Sequence, residues 1–319
     1  MTLAHESFLF LRQLAEQGAV PFHTLTAEQA RAMFSRLREV AGDGPEMLRV
    51  EDIAIPVQGA TITLRVLQPS AQPDAIVVYL HGGGWVVGDL DDYDALGRYI
   101  ACESNCAVVL VDYRLAPEHR FPAAIDDAWH ATQWVSEHSH RLGLAPRLPL
   151  IVAGDSAGAN LAAVVALRAR DAGAPSLLQQ VLIYPVTQPD VNSPGYLDEA
   201  NQGLLTQADM AWFWDCYLPA VHFRTQVDAS PLLAASLAGV APAVVVTAEH
   251  DVLRDEGEAY ARKLEEHGVD VSYRQFDGQI HGFFTLLQAL PASADARQFI
   301  VAQIRQALDG ASVDPAVSA

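Results

Sequence analysis

A serine flanked by glycines stands between an apolar run and an alanine-rich stretch, in the sequence IVAGDSAGAN at residues 151–160. Residues 148–153 (LPLIVA) predict a short buried strand, and residues 160–170 (NLAAVVALRAR) predict a helix that ends before Gly173. A strand, a tight turn and a helix in direct succession would present Ser156 as a nucleophile at the carboxyl edge of a parallel sheet. An ordinary Gly-Ser turn remains the alternative, because G-x-S-x-G arises by chance in about one in ten chains of this length.

Short apolar runs recur along the chain with helical stretches between them, which is the pattern of an α/β sheet flanked by helices. The predicted strands cover residues 49–55, 61–67, 75–80, 107–111, 148–153, 180–184, 243–248 and 271–276. The first two, separated by PVQG, predict an antiparallel hairpin that leads into a mostly parallel eight-stranded sheet. The 319 residues, half of them hydrophobic, suit one large domain, here residues 46–319, whose tail from residue 309 is expected to fray.

Two segments fall outside this alternation and predict a helical cap, residues 1–45 and about 188–220. The first contains a capping box, TAEQ at 26–29, followed by an apolar face at helical spacing: Ala30, Met33, Phe34, Leu37 and Val40. The second ends in an aromatic face at helical spacing: Met210, Phe213, Trp214, Tyr217 and Leu218. Either both faces pack on the main core, or the second lines an apolar pocket over the carboxyl edge of the sheet.

A serine nucleophile needs a histidine base and a carboxylate that orients it. In an α/β-hydrolase arrangement the acid and then the histidine follow the serine along the chain. Asp251 comes directly after the seventh predicted strand, and Asp255 is the reserve candidate. His281 lies in a loop after the last strand, whereas His267 ends a helix just before a glycine, where an imidazole stabilises the helix terminus. The order therefore favours Asp251 as the acid and His281 as the base.

Acyl transfer also needs N–H donors for the oxyanion, and HGGG at 81–84 follows the third predicted strand. Glycine amides approach a reacting atom without side-chain interference, so Gly82, Gly83 and Gly84 are the candidate donors. The amide of Ala157, directly after the serine, completes the predicted oxyanion hole. His81 is expected to brace this loop by hydrogen bonds.

Charge and composition exclude several function classes. Twenty Lys and Arg against 39 Asp and Glu give a formal charge of −19, which repels nucleic acid and anionic membranes. No apolar run is long enough to span a bilayer and no signal peptide is recognisable, so we expect a cytoplasmic protein without stable membrane insertion. The three cysteines (Cys102, Cys106 and Cys216) predict reduced thiols, with neither a disulfide framework nor a metal site.

The chain resembles the hormone-sensitive lipase family of α/β-hydrolases, in its GDSAG subgroup. The resemblance covers nearly the whole chain through HGGGW at 81–85, VDYRLAPEHRFPAA at 111–124, GDSAG at 154–158, SPLLA at 230–234, DVLRDEGEAYARKL at 251–264 and HGF at 281–283. One departure is Val252, where the family commonly has proline after the acid. Tyr113, Arg114, Pro117 and Glu118 match a stretch interpreted as structural.

This resemblance implies a serine carboxylesterase with Ser156, Asp251 and His281 as its triad and no metal or organic cofactor. It also implies that the amides of Gly83, Gly84 and Ala157 donate to the oxyanion. It further implies a mobile cap, a small-molecule ester with a short to medium acyl chain as substrate, and the capacity to form a homodimer. The residues expected to line the substrate pocket are Trp85, Asp155, Phe213, Trp214 and Phe283.

Two other functions remain open at this point. An amidase or deacetylase would use the same triad, because amide and ester cleavage share the acyl-enzyme route. A small-molecule receptor is the alternative from another class, since the plant gibberellin receptors resemble this family but lack the catalytic histidine. The presence of His281 argues against a receptor.

Overall fold

The computed structural model describes residues 2–313. Within them, the eight predicted strands are confirmed, with shifts of a few residues at their ends. The strands are β1 Arg49–Val57, β2 Ala60–Gln68, β3 Ile76–Leu80, β4 Ala107–Asp112, β5 Leu150–Asp155, β6 Gln179–Ile183, β7 Ala243–His250 and β8 Val271–Ile280. The α-helices are α1 His5–Glu16, α2 Ala27–Phe34, α3 Arg38–Ala41, α4 Leu90–Ser104, α5 Ala123–His138, α6 Ala157–Ala172, α7 Pro194–Leu197, α8 Gln207–Tyr217, α9 Arg254–Glu266 and α10 Ala292–Val313.

All eight strands form one sheet in the order β1-β2-β4-β3-β5-β6-β7-β8. The β1–β2 and β2–β4 pairs are antiparallel, which confirms the predicted hairpin, and the other neighbours are parallel. The carboxyl ends of β3, β5, β6, β7 and β8 therefore meet at one edge. Loops at this edge of an open α/β sheet are where ligands bind.

The middle of the sheet is buried on both faces, which explains its continuous apolar sequences. All residues of β3, β5, β6 and β7 are buried, and two hydrophobic clusters lie on opposite sides of the sheet. Helix α6 is also buried along most of its length because its alanines permit close packing on β5. It ends at Gly173, in the left-handed conformation, as the sequence predicts.

The capping box of the N-terminal segment is confirmed, because Thr26 and Gln29 exchange side-chain and backbone hydrogen bonds. The helix predicted to continue through Val40 is instead interrupted. Helix α2 ends at Phe34, a 3-10 turn follows, and α3 begins at Arg38. The Ser35 hydroxyl donates to the carbonyl of Arg31, a local bond that competes with regular helix.

The two segments predicted as a cap contact each other. Asp209, at the start of α8, accepts hydrogen bonds from the backbone N–H of His23 at 3.0 Å and from its ring Nδ1 at 2.8 Å. The rings of Phe22 and Phe213 pack with centroids 5.3 Å apart. Residues far apart in the chain thus form one layer. Its exact boundaries, 1–45 and 188–220, stay predictions.

The cysteines, the lengths of the helices and the end of α10 bear on three other predictions from the sequence. The cysteines are free thiols, as expected. No helix between residues 2 and 313 is both long enough and apolar enough to cross a bilayer. Residues 309–313 continue α10, which corrects the predicted start of the frayed tail, and the rest of that tail, 314–319, lies outside the described residues.

Candidate active site

Ser156 occupies a strained turn between β5 and α6. Its φ of 54° and ψ of −118° are unfavourable for a residue with a Cβ atom, and its N–H donates to the carbonyl of Ile183 at 2.8 Å. The two glycines of the motif are needed for close backbone packing. A Cβ on Gly154 would collide with the backbone of Gly158, and one on Gly158 would collide with the carbonyl of Leu80. The turn is therefore a nucleophile elbow and not a flexible loop.

The glycine loop after β3 leaves amides free beside this elbow. Within residues 2–313, the N–H groups of Gly83, Gly84 and Ala157 donate to no acceptor. Gly83 and Gly84 have φ values of 103° and 59°, and the Gly83 carbonyl accepts from the amides of Val86 and Val87. The predicted oxyanion donors are therefore unpaired, as an oxyanion hole requires.

His81 braces this loop. Its ring stacks on Tyr113 with centroids 4.2 Å apart, and its Nδ1 lies 2.7 Å from the carbonyl of Gly82, so it is the nitrogen that donates. The Tyr113 hydroxyl donates to the backbone carbonyl of His81 at 2.7 Å. Burial lowers the pKa of His81 to about 4, which keeps the imidazole neutral at physiological pH.

Asp155 lies under the glycine loop, with 3% of its surface exposed. Its Oδ1 accepts from the Tyr79 hydroxyl at 2.9 Å and from the Gly82 amide at 3.0 Å, and its Oδ2 accepts from the Tyr93 hydroxyl at 3.1 Å. Burial raises the pKa of Asp155 to about 6, while the hydrogen bonds of both tyrosines and the nearby His281 lower it.

Asp251 and His281 form a partly buried hydrogen bond at the same edge of the sheet. His281 Nδ1 lies 2.7 Å from Asp251 Oδ2, and the other carboxylate oxygen accepts from the amide of Leu253 at 2.9 Å. Asp251 has no exposed surface. Since both carboxylate oxygens are occupied, the imidazole is fixed with its Nδ1–H toward the acid and Nε2 free to accept a proton.

A bulge in the β7–β8 ladder sets the ends of these two strands. The pairing shifts register between Ala248 and His250, and the Glu249 carboxylate at this point accepts from the Gly278 amide at 2.7 Å. Bulges often redirect side chains next to active sites. This one precedes Asp251 directly.

No hydrogen bond joins Ser156 Oγ to His281 in the described part of the chain. Both residues contact the end of β6, because the His281 ring packs on Tyr184 with centroids 4.6 Å apart and the preceding residue, Ile183, accepts from the Ser156 amide. Bonds between a nucleophile and its base are often long without substrate and shorten in the complex.

The other candidates for acid and base lie elsewhere. Asp255 pairs with Arg254 at 2.8 Å, and His267 Nδ1 donates to the carbonyl of Lys263 at 2.8 Å at the end of α9. The geometry brings neither of them to His281 or Ser156.

The five residues expected to line a pocket have different surroundings. Trp85, Trp214 and Phe283 have no exposed surface, and Trp85 stacks on Tyr217 with centroids 4.2 Å apart. Phe213 lies against Gly84, so closely that a Cβ on that glycine would collide with its ring. Asp155 contacts the underside of the loop instead of a pocket wall. Their role in substrate binding stays a prediction.

Sequence reasoning missed the tyrosines around the elbow. Tyr79 interrupts an otherwise aliphatic strand and Tyr93 lies on α4, and both hydroxyls reach Asp155. A hydroxyl in a fully buried strand needs a polar partner, so Tyr79 could have indicated from the sequence that a buried polar group lies next to β3. Tyr184 gave no such indication, although its φ of 35° and its contact with His281 mark it as constrained.

A strained elbow beside unpaired loop amides, at the carboxyl edge of an eight-stranded mostly parallel sheet, defines an α/β hydrolase. A family described by the alpha/beta hydrolase fold matches residues 77–285, and the chain belongs to it. This confirms the predicted fold class and the resemblance to the hormone-sensitive lipase family.

Particular relatives are similar over most of their length. The chain is 40% identical to the carboxylesterase NlhH of Mycobacterium tuberculosis, over 88% of this chain and 89% of that protein. It is 35% identical to an ethyl acetate hydrolase of Pseudomonas putida, over 93% and 96% of the two chains. The structure of a hyperthermophilic esterase from the archaeon Pyrobaculum calidifontis superposes with a TM-score of 0.89 at 39% identity, over 96% of this chain and 99% of that one.

Proposed function

We propose that this protein is a serine carboxylesterase, in which Ser156 is the nucleophile, His281 the general base and Asp251 the residue that orients it. The observation that carries the proposal is the 2.7 Å hydrogen bond between His281 and the fully buried Asp251, at the sheet edge that also carries a strained serine turn. The names of the similar proteins, carboxylesterase, esterase and ethyl acetate hydrolase, support ester hydrolysis as the reaction.

The reaction proceeds in two steps. Ser156 Oγ attacks the ester carbonyl carbon as its proton passes to His281 Nε2, and the carbonyl oxygen becomes an oxyanion bound by the amides of Gly83, Gly84 and Ala157. The C–O bond to the alcohol breaks, and the imidazolium returns the proton to the leaving alkoxide. Water then attacks the acyl-enzyme with His281 as base, which releases the carboxylic acid and restores the serine.

The layer of residues 1–45 and 188–220 serves as the cap in this proposal. Phe213 covers Gly84 and is itself covered by Phe22, so the acyl group enters an apolar and confined space. This favours esters of short to medium acyl chains as the substrate class. A homodimer and a cytoplasmic location stay predictions from the sequence.

Hydrolysis of p-nitrophenyl esters from acetate to palmitate, by the full chain and its Ser156→Ala variant, tests the proposal. We expect rates that peak at short or medium chains and a kcat about 10⁶-fold lower in the variant. Ser236→Ala, at an exposed serine outside the site, is the matched control and should keep the full rate.

Equal rates in the wild type and the Ser156→Ala variant would contradict the assignment of the nucleophile. The p-nitroanilide of the preferred acyl group, measured in parallel, distinguishes an esterase from an amidase. Faster cleavage of the anilide than of the ester would replace esterase by amidase.

A further inference from the structure

We infer that Asp155 is a positioning residue of the oxyanion hole: its carboxylate joins the nucleophile elbow to the glycine loop and fixes the direction of the loop amides. This inference rests on the proposed esterase function. It gives Asp155 a part in the reaction without contact with substrate.

The Asp155 carboxylate joins several parts of the fold. Three donors from three elements meet on one carboxylate: Tyr79 from β3, Tyr93 from α4 and the Gly82 amide from the loop. The Gly82 amide is shared, because it also lies 3.0 Å from the Tyr93 hydroxyl oxygen. Asp155 itself directly precedes Ser156, so any movement of the loop relative to the serine stretches these bonds.

The backbone groups of the glycine loop differ in whether they have hydrogen-bond partners. The Gly82 N–H is bound by Asp155, the Gly82 carbonyl by the His81 ring, and the Gly83 carbonyl by two amides of the same loop. The next two donors, the amides of Gly83 and Gly84, have no partner in the described chain. Since a peptide group is planar, anchoring Gly82 on both sides restricts the peptide that carries the Gly83 amide.

A carboxylate suits this position better than an amide, because all three partners donate to it. An ionised carboxylate only accepts hydrogen bonds, whereas an asparagine amide presents two donors in place of one acceptor oxygen. With the amide nitrogen in place of Oδ2, the Tyr93 hydroxyl would have to turn and accept, although its oxygen already accepts from the Gly82 amide. A Cβ on Gly82 would also collide with the Asp155 carboxylate, which shows how closely loop and side chain pack.

Three variants test the inference at pH 8, where the carboxylate is ionised: Asp155→Asn, Tyr93→Phe and Tyr79→Phe. For Asp155→Asn we expect kcat on the best p-nitrophenyl ester to fall about ten- to a hundredfold, less than the 10²- to 10³-fold cost of deleting an oxyanion donor. KM should change by less than about threefold, because ground-state binding is unaffected. Tyr93→Phe should give a smaller fall in the same direction. Tyr260→Phe is the matched control, because Tyr260 is also a fully buried tyrosine but lies on α9.

Inhibition by a trifluoromethyl ketone with the same acyl chain separates positioning from stability. Its adduct with serine places an oxyanion in the hole, so its Ki should rise by the factor by which kcat/KM falls. A variant with normal kcat, a change in KM alone, or a lowered kcat with unchanged Ki would overturn the inference. If Asp155→Asn does not fold, the two tyrosine variants decide by the same criteria. An inactive wild type would contradict the proposed function, whereas an active wild type with unaffected variants contradicts only the role of Asp155.

Discussion

Ser156 has a backbone conformation that costs free energy, on the order of 1–3 kcal/mol for a non-glycine residue in such a region. The hydrogen bond from its amide to Ile183 and the packing of Gly158 on Leu80 hold it there. The strain places the hydroxyl outside the helix, where a base can reach it. The free-energy cost of this backbone conformation therefore accompanies the position of the hydroxyl that the proposed reaction needs.

Replacement of the proposed acid, Asp251, by asparagine should show how far its carboxylate acts by orienting His281. In Asp251→Asn the amide no longer selects the Nδ1–H tautomer of His281, so we expect kcat to fall by roughly 10⁴-fold with little change in KM. Asp255→Asn is the matched control four residues along the chain, because its carboxylate pairs with Arg254 instead of a histidine. Steady-state kinetics on one ester measures both, and a larger loss in the Asp255 variant would show that the acid was misassigned.

The residues proposed for the triad were predictable from the sequence because chain order and strand ends restrict the candidates. Ser156, Asp251 and His281 each follow a strand directly, and the structure brings Asp251 and His281 into contact. The surroundings of Asp155 were not predictable. Its partners lie 76, 73 and 62 residues away, and only the packing of β3, α4 and β5 brings them together.

Two glycines that lie inside helices, Gly158 in α6 and Gly310 in α10, differ in how closely other atoms pack on them. Gly158 lies in the first turn of α6 against the end of β3, where a Cβ would have no room. Gly310 lies near the end of α10, and among the described residues a Cβ at that position would meet no atom within 4 Å. The same residue type thus serves close packing in one helix and has no packing role in the other.

Substitution by alanine should therefore change the free energy of unfolding in opposite directions. Gly158→Ala forces the elbow away from Leu80, and we expect a loss of at least about 1–3 kcal/mol together with a fall in activity. Gly310→Ala should gain up to about 0.5–1 kcal/mol, because alanine loses less conformational entropy in a helix. Urea unfolding of the variants and the wild type measures this, and a stabilised Gly158 variant would contradict the close packing.

At the scale of elements, the strands were predictable because a central parallel sheet demands uninterrupted apolar runs such as IVVYL in β3. The break after Phe34 was not, because apolar periodicity continues through it. It depends on the Ser35 hydroxyl and on Arg38, which reaches Asp89 and Asp92 at the start of α4. These hydrogen bonds and ion pairs outweigh the helical periodicity of the apolar residues around Phe34.

Across the whole molecule, 39 acidic side chains outnumber 20 basic ones, and Glu256 is among the carboxyl groups that the core encloses. Glu256 is 2% exposed and its Oε1 accepts from the Thr187 amide at 2.7 Å. Burial raises the pKa of Glu256 to about 8, above its ordinary value of 4.5. The folded state therefore holds a proton here that the unfolded chain releases at lower pH.

This proton makes global stability depend on pH. Between about pH 5 and pH 8 the folded state binds more protons than the unfolded state, so the free energy of unfolding should fall as pH rises, on the order of a few kcal/mol from this group. Glu256→Gln should remove much of that slope, and Glu258→Gln, at a more accessible position of the same helix, should keep it. Urea titrations at several pH values measure the slopes. Parallel curves for Glu256→Gln and the wild type would show that the group is ionised in the folded state.

The contact between His23 and Asp209 spans 186 residues of sequence. During synthesis the N-terminal segment leaves the ribosome first, yet its partners in α8 are made only after β1 to β6. Other residues of the same segment have partners that are made earlier, because Arg31 donates to the carbonyl of Val86 and Arg38 pairs with Asp89 and Asp92. Consequently, the cap layer can assemble in two stages along the chain: Arg31 and Arg38 can bind beside the glycine loop first, and Phe22 and His23 find their partners only once α8 has been made.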